Sequence, residues 1–373
     1  MRSDKLLLIL CLTAATARAQ WQIQPAPTTA DLRGIHAIGS GVVWASGTQG
    51  TVLRTTDDGK SWQRCATPPG AESLDFRGVQ AFDASTAIVM SSGKGPLSRL
   101  YKTTDACQTW ILLFTNPDPE GFWDAIVRIH DKVYVLGDPV NGRFAMFLSE
   151  DAGKTWFVAG EEGRDTEPGG SAFAASNSEL TGSDPYLFFG TGGTTAARVY
   201  ATGAKCSPPP GHPDGPAIYD CVIQWSSKEV PVASGTPTSG VFSLATRPGK
   251  AKDGSDAVVV AAVGGVYDQP DQSGGTAATS RDSGKTWQPA QTPPHGYRSA
   301  VAYSPTTKTW ITVGPNGTDI STDDGRNWQP LKPSATETPD ADQHWNALSL
   351  PFVVGPNGRI GRLRPAALTP AKP

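Results

Sequence analysis

The chain is poor in the side chains that hold metals or titrate near neutral pH. Histidine and cysteine number five each in 373 residues. The histidines, at positions 36, 130, 212, 295 and 344, are scattered, no Cys-x-x-Cys occurs, and no metal-ligand spacing can be read. Net charge is only −3, so no global field points to nucleic acid or an anionic membrane as a partner. Beyond the N-terminus no apolar run is long enough to span a bilayer. Lysine, glutamate and helix-type periodicity are sparse. What the chain does have is glycine and proline, 41 and 32 residues, the punctuation of many short strands joined by turns. About 350 mature residues would be two or three ordinary domains on length alone, but barrels and repeat folds exceed that as single units.

Residues 1–19 read as a signal peptide. A charged start precedes the apolar run 6–12, and Ala17-Arg18-Ala19 before Gln20 is a small-residue cleavage site. Cys11 follows Leu10 rather than a small residue, which argues against a lipid anchor. The expected mature protein is soluble and either secreted or periplasmic. Four cysteines remain after cleavage. Cys206 and Cys221 bracket the insert 207–216, rich in proline and glycine. A disulfide between them is expected, contributing about 3 kcal/mol in the chain-entropy model. Cys65 and Cys107 can either pair or stay free.

One short pattern recurs five times, always ending in tryptophan. It spans residues 55–62, 103–110, 149–156, 280–287 and 321–328, with Asp57, Asp105, Asp151, Asp282 and Asp323 at its third position. Trp62, Trp110, Trp156, Trp287 and Trp328 close the five copies. The consensus, S/T-x-D-x-G-x-T/S-W, is the Asp-box. Its residue types have a turn logic. The aspartate accepts backbone N–H groups within a tight turn, glycine permits positive φ, and the hydroxyls cap neighbouring backbone groups. The tryptophan leaves the turn to pack between sheets. Two copies depart from the pattern: Cys107 replaces the glycine, and Asn327 the final hydroxyl residue.

The first three tryptophans stand 48 and 46 residues apart and the last two 41 apart, while Trp156 and Trp287 are separated by 131, about three periods. Each period carries four strand-like segments, as in 122–129, 132–137, 143–149 and 156–159. Four antiparallel strands per period is a propeller blade. The long gap holds two blades, the first with a decayed box. The C-terminal segments 344–350, 351–355 and 359–364 supply three strands without a box. The mature N-terminus, Trp21-Gln22-Ile23-Gln24, resembles the strand that follows each box. The expectation is an all-β, seven-bladed β-propeller over 20–365, closed by the N-terminal strand joining the C-terminal blade, with a disordered tail at 366–373. Closure removes exposed sheet edges.

The wider blade text carries a resemblance. Leu32-Arg33-Gly34 with residues 43–47 and 50–55, Phe76-Arg77-Gly78-Val79 with 101–105, and Tyr297-Arg298-Ser299 with 313–317 resemble the photosystem II stability/assembly factor-like family of exported seven-bladed propellers. The resemblance covers essentially the whole mature chain. It implies a non-catalytic scaffold, without cofactor, that binds a protein partner or protein complex in the periplasm or envelope. No membrane span and a monomer are expected.

Placed at the start of strand one, Arg33, Arg77 and Arg298 from blades 1, 2 and 6 are expected to converge on one mouth of the channel. Asp124 of blade 3 and Asn346 of blade 7 join them, with Trp123 and Tyr297 nearby. Three guanidiniums there can clamp a carboxylate or phosphate, or tie blades together in an Arg–Asp network. A ligand is expected at this mouth rather than at the Asp-box face, where the carboxylates are committed to their own turns. The alternative is a sialidase-like glycoside hydrolase acting on an extracellular glycan. It would use these arginines as a triad, Tyr297 or Tyr267 as nucleophile, and Glu72 or Glu120 as partner. Sialidases, however, have six blades and an opening Arg-Ile-Pro phrase that is absent here.

Overall fold

The computed structural model describes residues 20–160, 162–183, 185–207, 220–334 and 337–368. Seven sheets follow one another around a ring. Blade 1 consists of Leu32–Gly39, Val42–Gly47, Thr51–Thr55 and Gln63–Arg64; the later blades repeat this order of four strands, and the sheet of blade 5 carries two further short strands, Gly170–Ser171 and Gly192–Gly193, beside its strand one. Strand one of each blade lies against strand one of the next all the way round, so these strands line the axis. The fold is a seven-bladed β-propeller. Among the described residues no helix is long and apolar enough to cross a membrane.

Packing explains the ring. Each inter-blade junction holds one apolar cluster, seven in all. Box tryptophans pack against the preceding blade: Trp62 at the 7/1 junction, Trp110 at 1/2, Trp287 at 4/5 and Trp328 at 5/6. Trp156 packs against the cluster at 2/3. In blade 4, where the box has decayed, Trp225 fills the same role at 3/4.

The ring closes as the orphan strand implied. Trp21–Gln24 pairs antiparallel with Ile360–Leu363, Trp21 opposite Leu363 and Gln24 opposite Ile360. The Trp21 ring buries against Trp345 and donates its Nε1–H to Thr318 of blade 6. Gln24 accepts from Trp62 Nε1 of blade 1 at 3.1 Å. Past the last strand, Pro365–Leu368, mostly expected to belong to the tail, forms a single 3-10 turn, with Ala367 and Leu368 on the same cluster. The leader 1–19 and residues 369–373 lie outside the described residues.

Of the four mature cysteines, one pair is settled by the structure. Cys65 and Cys107 form a disulfide, with Cα atoms 5.3 Å apart. It joins the end of blade 1 to the box turn of blade 2, where Cys107 stands in the glycine's place. For the pair expected to bridge, Cys206 and Cys221, the backbone register sets the two residues directly opposite one another. Their side chains lie outside the described residues.

The box turns share one set of bonds. In the third copy Thr155 donates its backbone N–H to Asp151 at 2.8 Å and its hydroxyl at 2.7 Å, while the Gly153 N–H donates to Ser149 Oγ. Asp57, Asp105, Asp282 and Asp323 repeat the pattern. These bonds hold the carboxyls of Asp57 and Asp105 down at about 2. Two consecutive residues of each turn have positive φ, for example Asp58 at 64° and Gly59 at 80°. This is why glycine recurs at the second of them.

Candidate functional site

The register locates seven equivalent positions at one end of the channel. The residue preceding the first regular pair between strands one and two is Arg33, Arg77, Asp124, Glu179, Phe242, Ser299 and Asn346 in blades 1 to 7. The pairs that follow are Gly34–Ser46, Gly78–Met90, Ala125–Leu136, Leu180–Phe189, Ser243–Val263, Ala300–Val313 and Ala347–Val354. In blades 1, 2, 3 and 5 the ladder shifts at this point and the residue is bulged out of it. Glycine ends strand two in most blades because the chain entering strand one crosses it closely. A Cβ on Gly47 would stand 2.2 Å from the Asp31 carbonyl oxygen.

Arg33, Arg77, Asp124 and Asn346 therefore sit where the sequence placed them. Arg298 does not. The Gly314 contact with the Tyr297 carbonyl is the counterpart of Gly47 with Asp31, so Arg298 corresponds to Leu32 and Ser299 takes the ring position. Arg298 is fully buried. Its guanidinium is bound to Asp319, Asn316, His295 and the Tyr297 carbonyl. It is an internal tie of blade 6. Tyr297 is also buried, edge-on to Phe242 at 4.9 Å, and burial pushes its hydroxyl far above the ordinary phenol range. Trp123 is fully buried at the 2/3 junction, stacked on Phe114. Asn346 donates to the Leu32 carbonyl at 2.8 Å and links blade 7 to blade 1.

The acidic half of the ring is closed by the chain itself. Residues 171–177, between blades 3 and 4, fold across the mouth. Asp138 accepts from the Ser171 hydroxyl and the Ala172 N–H, Glu179 accepts from the Phe173 N–H, and Arg77 donates to the Ala174 carbonyl at 2.9 Å. Phe173 stacks on Phe242 at 4.0 Å, and Asn177 accepts from the Ile126 N–H. Beneath this segment Asp124 and Glu179 are buried, each with one carboxyl oxygen lacking a partner. Burial holds the Asp124 carboxyl well above the usual carboxylate range, helped by Asp138 and opposed by Arg77. Burial and the Asp124 charge do the same to Glu179.

In the basic half Arg33 and Arg77 are half-buried; the Arg33 Nε is buried without a partner, and Arg77 is held by Asp75 at 2.8 Å as well as by the Ala174 carbonyl. Of the glutamates proposed for a glycosidase, Glu72 is exposed and Glu120 pairs with Lys94 at the surface. With Arg298 internal and Tyr297 buried, the structure does not assemble the sialidase set. Among the described residues no group of three or more His, Cys, Asp or Glu is arranged to hold a metal.

The fold is similar to that of YCF48, of which two solved structures align with this chain. One, from Cyanidioschyzon merolae, aligns with a TM-score of 0.59 at 16% identity, over 93% of this chain and 100% of that one. The other, described as YCF48 bound to D1 peptide, aligns at 0.56 and 16% identity over 93% and 97%. A xyloglucanase from Xanthomonas campestris aligns at 0.53 and 15% identity over 92% of this chain, which spans about half, 53%, of the enzyme. At such identities the likeness establishes the fold. No protein-family model matches the chain, and no curated protein matches it in sequence.

Proposed function

We propose that the protein is an exported propeller scaffold that captures a protein partner at the basic half of the channel mouth, through Arg33 and Arg77. One observation carries this reading. Two guanidiniums occupy equivalent positions on adjacent blades, and that of Arg33 is uncommitted, while the neighbouring carboxyls are sealed beneath residues 171–177. Adjacent guanidiniums suit a carboxylate of an extended peptide. The similarity to a YCF48 propeller solved bound to D1 peptide supports reading this architecture as a peptide-binding scaffold. Export is supported by the leader-like residues 1–19, and the Cys65–Cys107 disulfide suits an oxidising compartment. A glycosidase needs two carboxyls open to substrate and water, and Asp124 and Glu179 are closed to both.

The test is capture of partners from the host's own periplasm by the tagged mature chain, identified by mass spectrometry, with Arg33→Gln beside wild type. Arg33 makes no bond within the fold through Nε, so its substitution should leave the melting temperature unchanged while a specific partner is lost. Undiminished capture by Arg33→Gln and by the Arg33→Gln/Arg77→Gln pair rejects the site.

A further inference from the structure

On the opposite face, around the end of blade 5 and bordered by Tyr186 of blade 4 and the box turn of blade 6, lies a cleft of about 1190 Å³. Its wall is an overgrown hairpin. In blade 5 the second strand, Asp256–Val266, begins four residues ahead of Val260, which pairs with Ser280. In blade 1 the corresponding strand begins one residue ahead of Val43, which pairs with Thr55. The extra pairs, out to Lys250 opposite Asp256, carry the hairpin beyond the sheet. The floor is made by the box turns of blades 5 and 6.

The charges in this cleft are unevenly committed. Every lining carboxylate is engaged. Asp282 belongs to its own turn, bound by Thr286 and Ser280. Asp324 accepts from Arg247 at 2.8 Å and from Arg281 at 3.0 Å. Asp256 pairs with Lys250, and Asp253 accepts from Ser255. Three lining cations, Lys252, Lys285 and Arg326, are exposed, and none takes part in an ion pair or side-chain hydrogen bond among the described residues. Hydrogen bonds from Ser255 lower the Asp253 carboxyl, with a smaller contribution from the charge of Lys285. Lys285 and Arg326 occupy the variable box position after the glycine, where a side chain is not needed to build the turn.

We propose that this cleft is a second docking surface, for an extended acidic polypeptide segment whose carboxylates pair with Lys252, Lys285 and Arg326. The four carboxylates among the cations disfavour a dense polyanion such as nucleic acid, which would meet them at every phosphate. Spaced glutamates or aspartates can meet the free cations and avoid the acids. This surface is independent of the Arg33–Arg77 mouth.

The probe is a fluorescein-labelled peptide of alternating glutamate and glycine, titrated with the full mature chain in the Arg33→Gln/Arg77→Gln background and read by fluorescence anisotropy. Expected results are saturable binding that weakens with added salt and a loss of about tenfold or more in the variant Lys252→Glu/Lys285→Glu/Arg326→Glu. Lys60→Glu, at the same exposed box position of blade 1 and outside the cleft, should bind like wild type. A thermal melt confirms that the triple variant is folded. If it is not, the alanine triple at the same positions replaces it, with weaker binding again expected. No binding by wild type, binding indifferent to both triple variants, or displacement by tripolyphosphate or single-stranded DNA at lower charge concentration than by unlabelled peptide each overturns the proposal.

Discussion

At Glu179 a carboxyl is buried against another carboxyl, and this has a sign that can be measured. Its folded-state pKa is raised, by burial first and by Asp124 next. The unfolded chain ionises Glu near its ordinary value of about 4.3, whereas the folded protein resists doing so. Stability is therefore lost as pH rises past that value. Glu179→Gln keeps an oxygen for the Phe173 N–H and removes the charge. It should raise the melting temperature at neutral pH and change it little at pH 4. An equal gain at both pH values would show that ionisation is not the cause. Ring residues were readable from sequence only where letters and register agreed. Arg33, Arg77, Asp124 and Asn346 satisfied both. Arg298 shares the Arg-small residue phrase, but the close crossing of Tyr297 over Gly314 sets its register one residue earlier. Glu179 and Phe242 belong to the two blades of the long gap, and no box of blade 4 fixed a register from which to count.

The box turn shows how an element absorbs a departure from its own consensus. Cys107 has a φ of 65°, in the region glycine takes in the other four copies, yet its N–H still donates to Thr103 as the rule requires. A non-glycine residue there costs about 1–2 kcal/mol. The bond to Cys65 closes a separation of 42 residues and contributes about 4 kcal/mol in the chain-entropy model, more than offsetting it. Cys65→Ala should lower the melting temperature clearly, and Cys65→Ala/Cys107→Gly should recover part of the loss. Under reducing conditions wild type should melt like Cys65→Ala. No recovery in the double variant would mean the turn is not strained. The five boxes and their spacing made these elements legible. Blade 4 was not, because no box stands between its outer strands, Arg198–Ser207 and Asp220–Glu229. The crossing segment 171–177 carries no periodic pattern, and its place is set by tertiary bonds alone.

For the whole molecule, stability rests on seven similar junctions and one non-covalent closure. Deleting residues 20–25 removes the outer strand of blade 7, unburies Trp345 and leaves the Trp62 N–H without its Gln24 acceptor. The melting temperature should fall sharply, and Trp21→Ala alone should cost about 3–5 kcal/mol. A deletion that melts like wild type would mean the ring does not depend on this strand.

The same closure decides how the protein responds to pulling. Trp21 lies opposite Leu363, so the two chain ends leave the ladder at the same end of it. A load between the ends then peels the four pairs open one after another, as a zip opens, rather than shearing them together. Peeling asks for little force at any instant, so the ring gives first at its seam. The Cys65–Cys107 bond then withholds its 42-residue separation, about 140 Å of contour. A tethered propeller of this kind would release its last blade early and keep its first two joined.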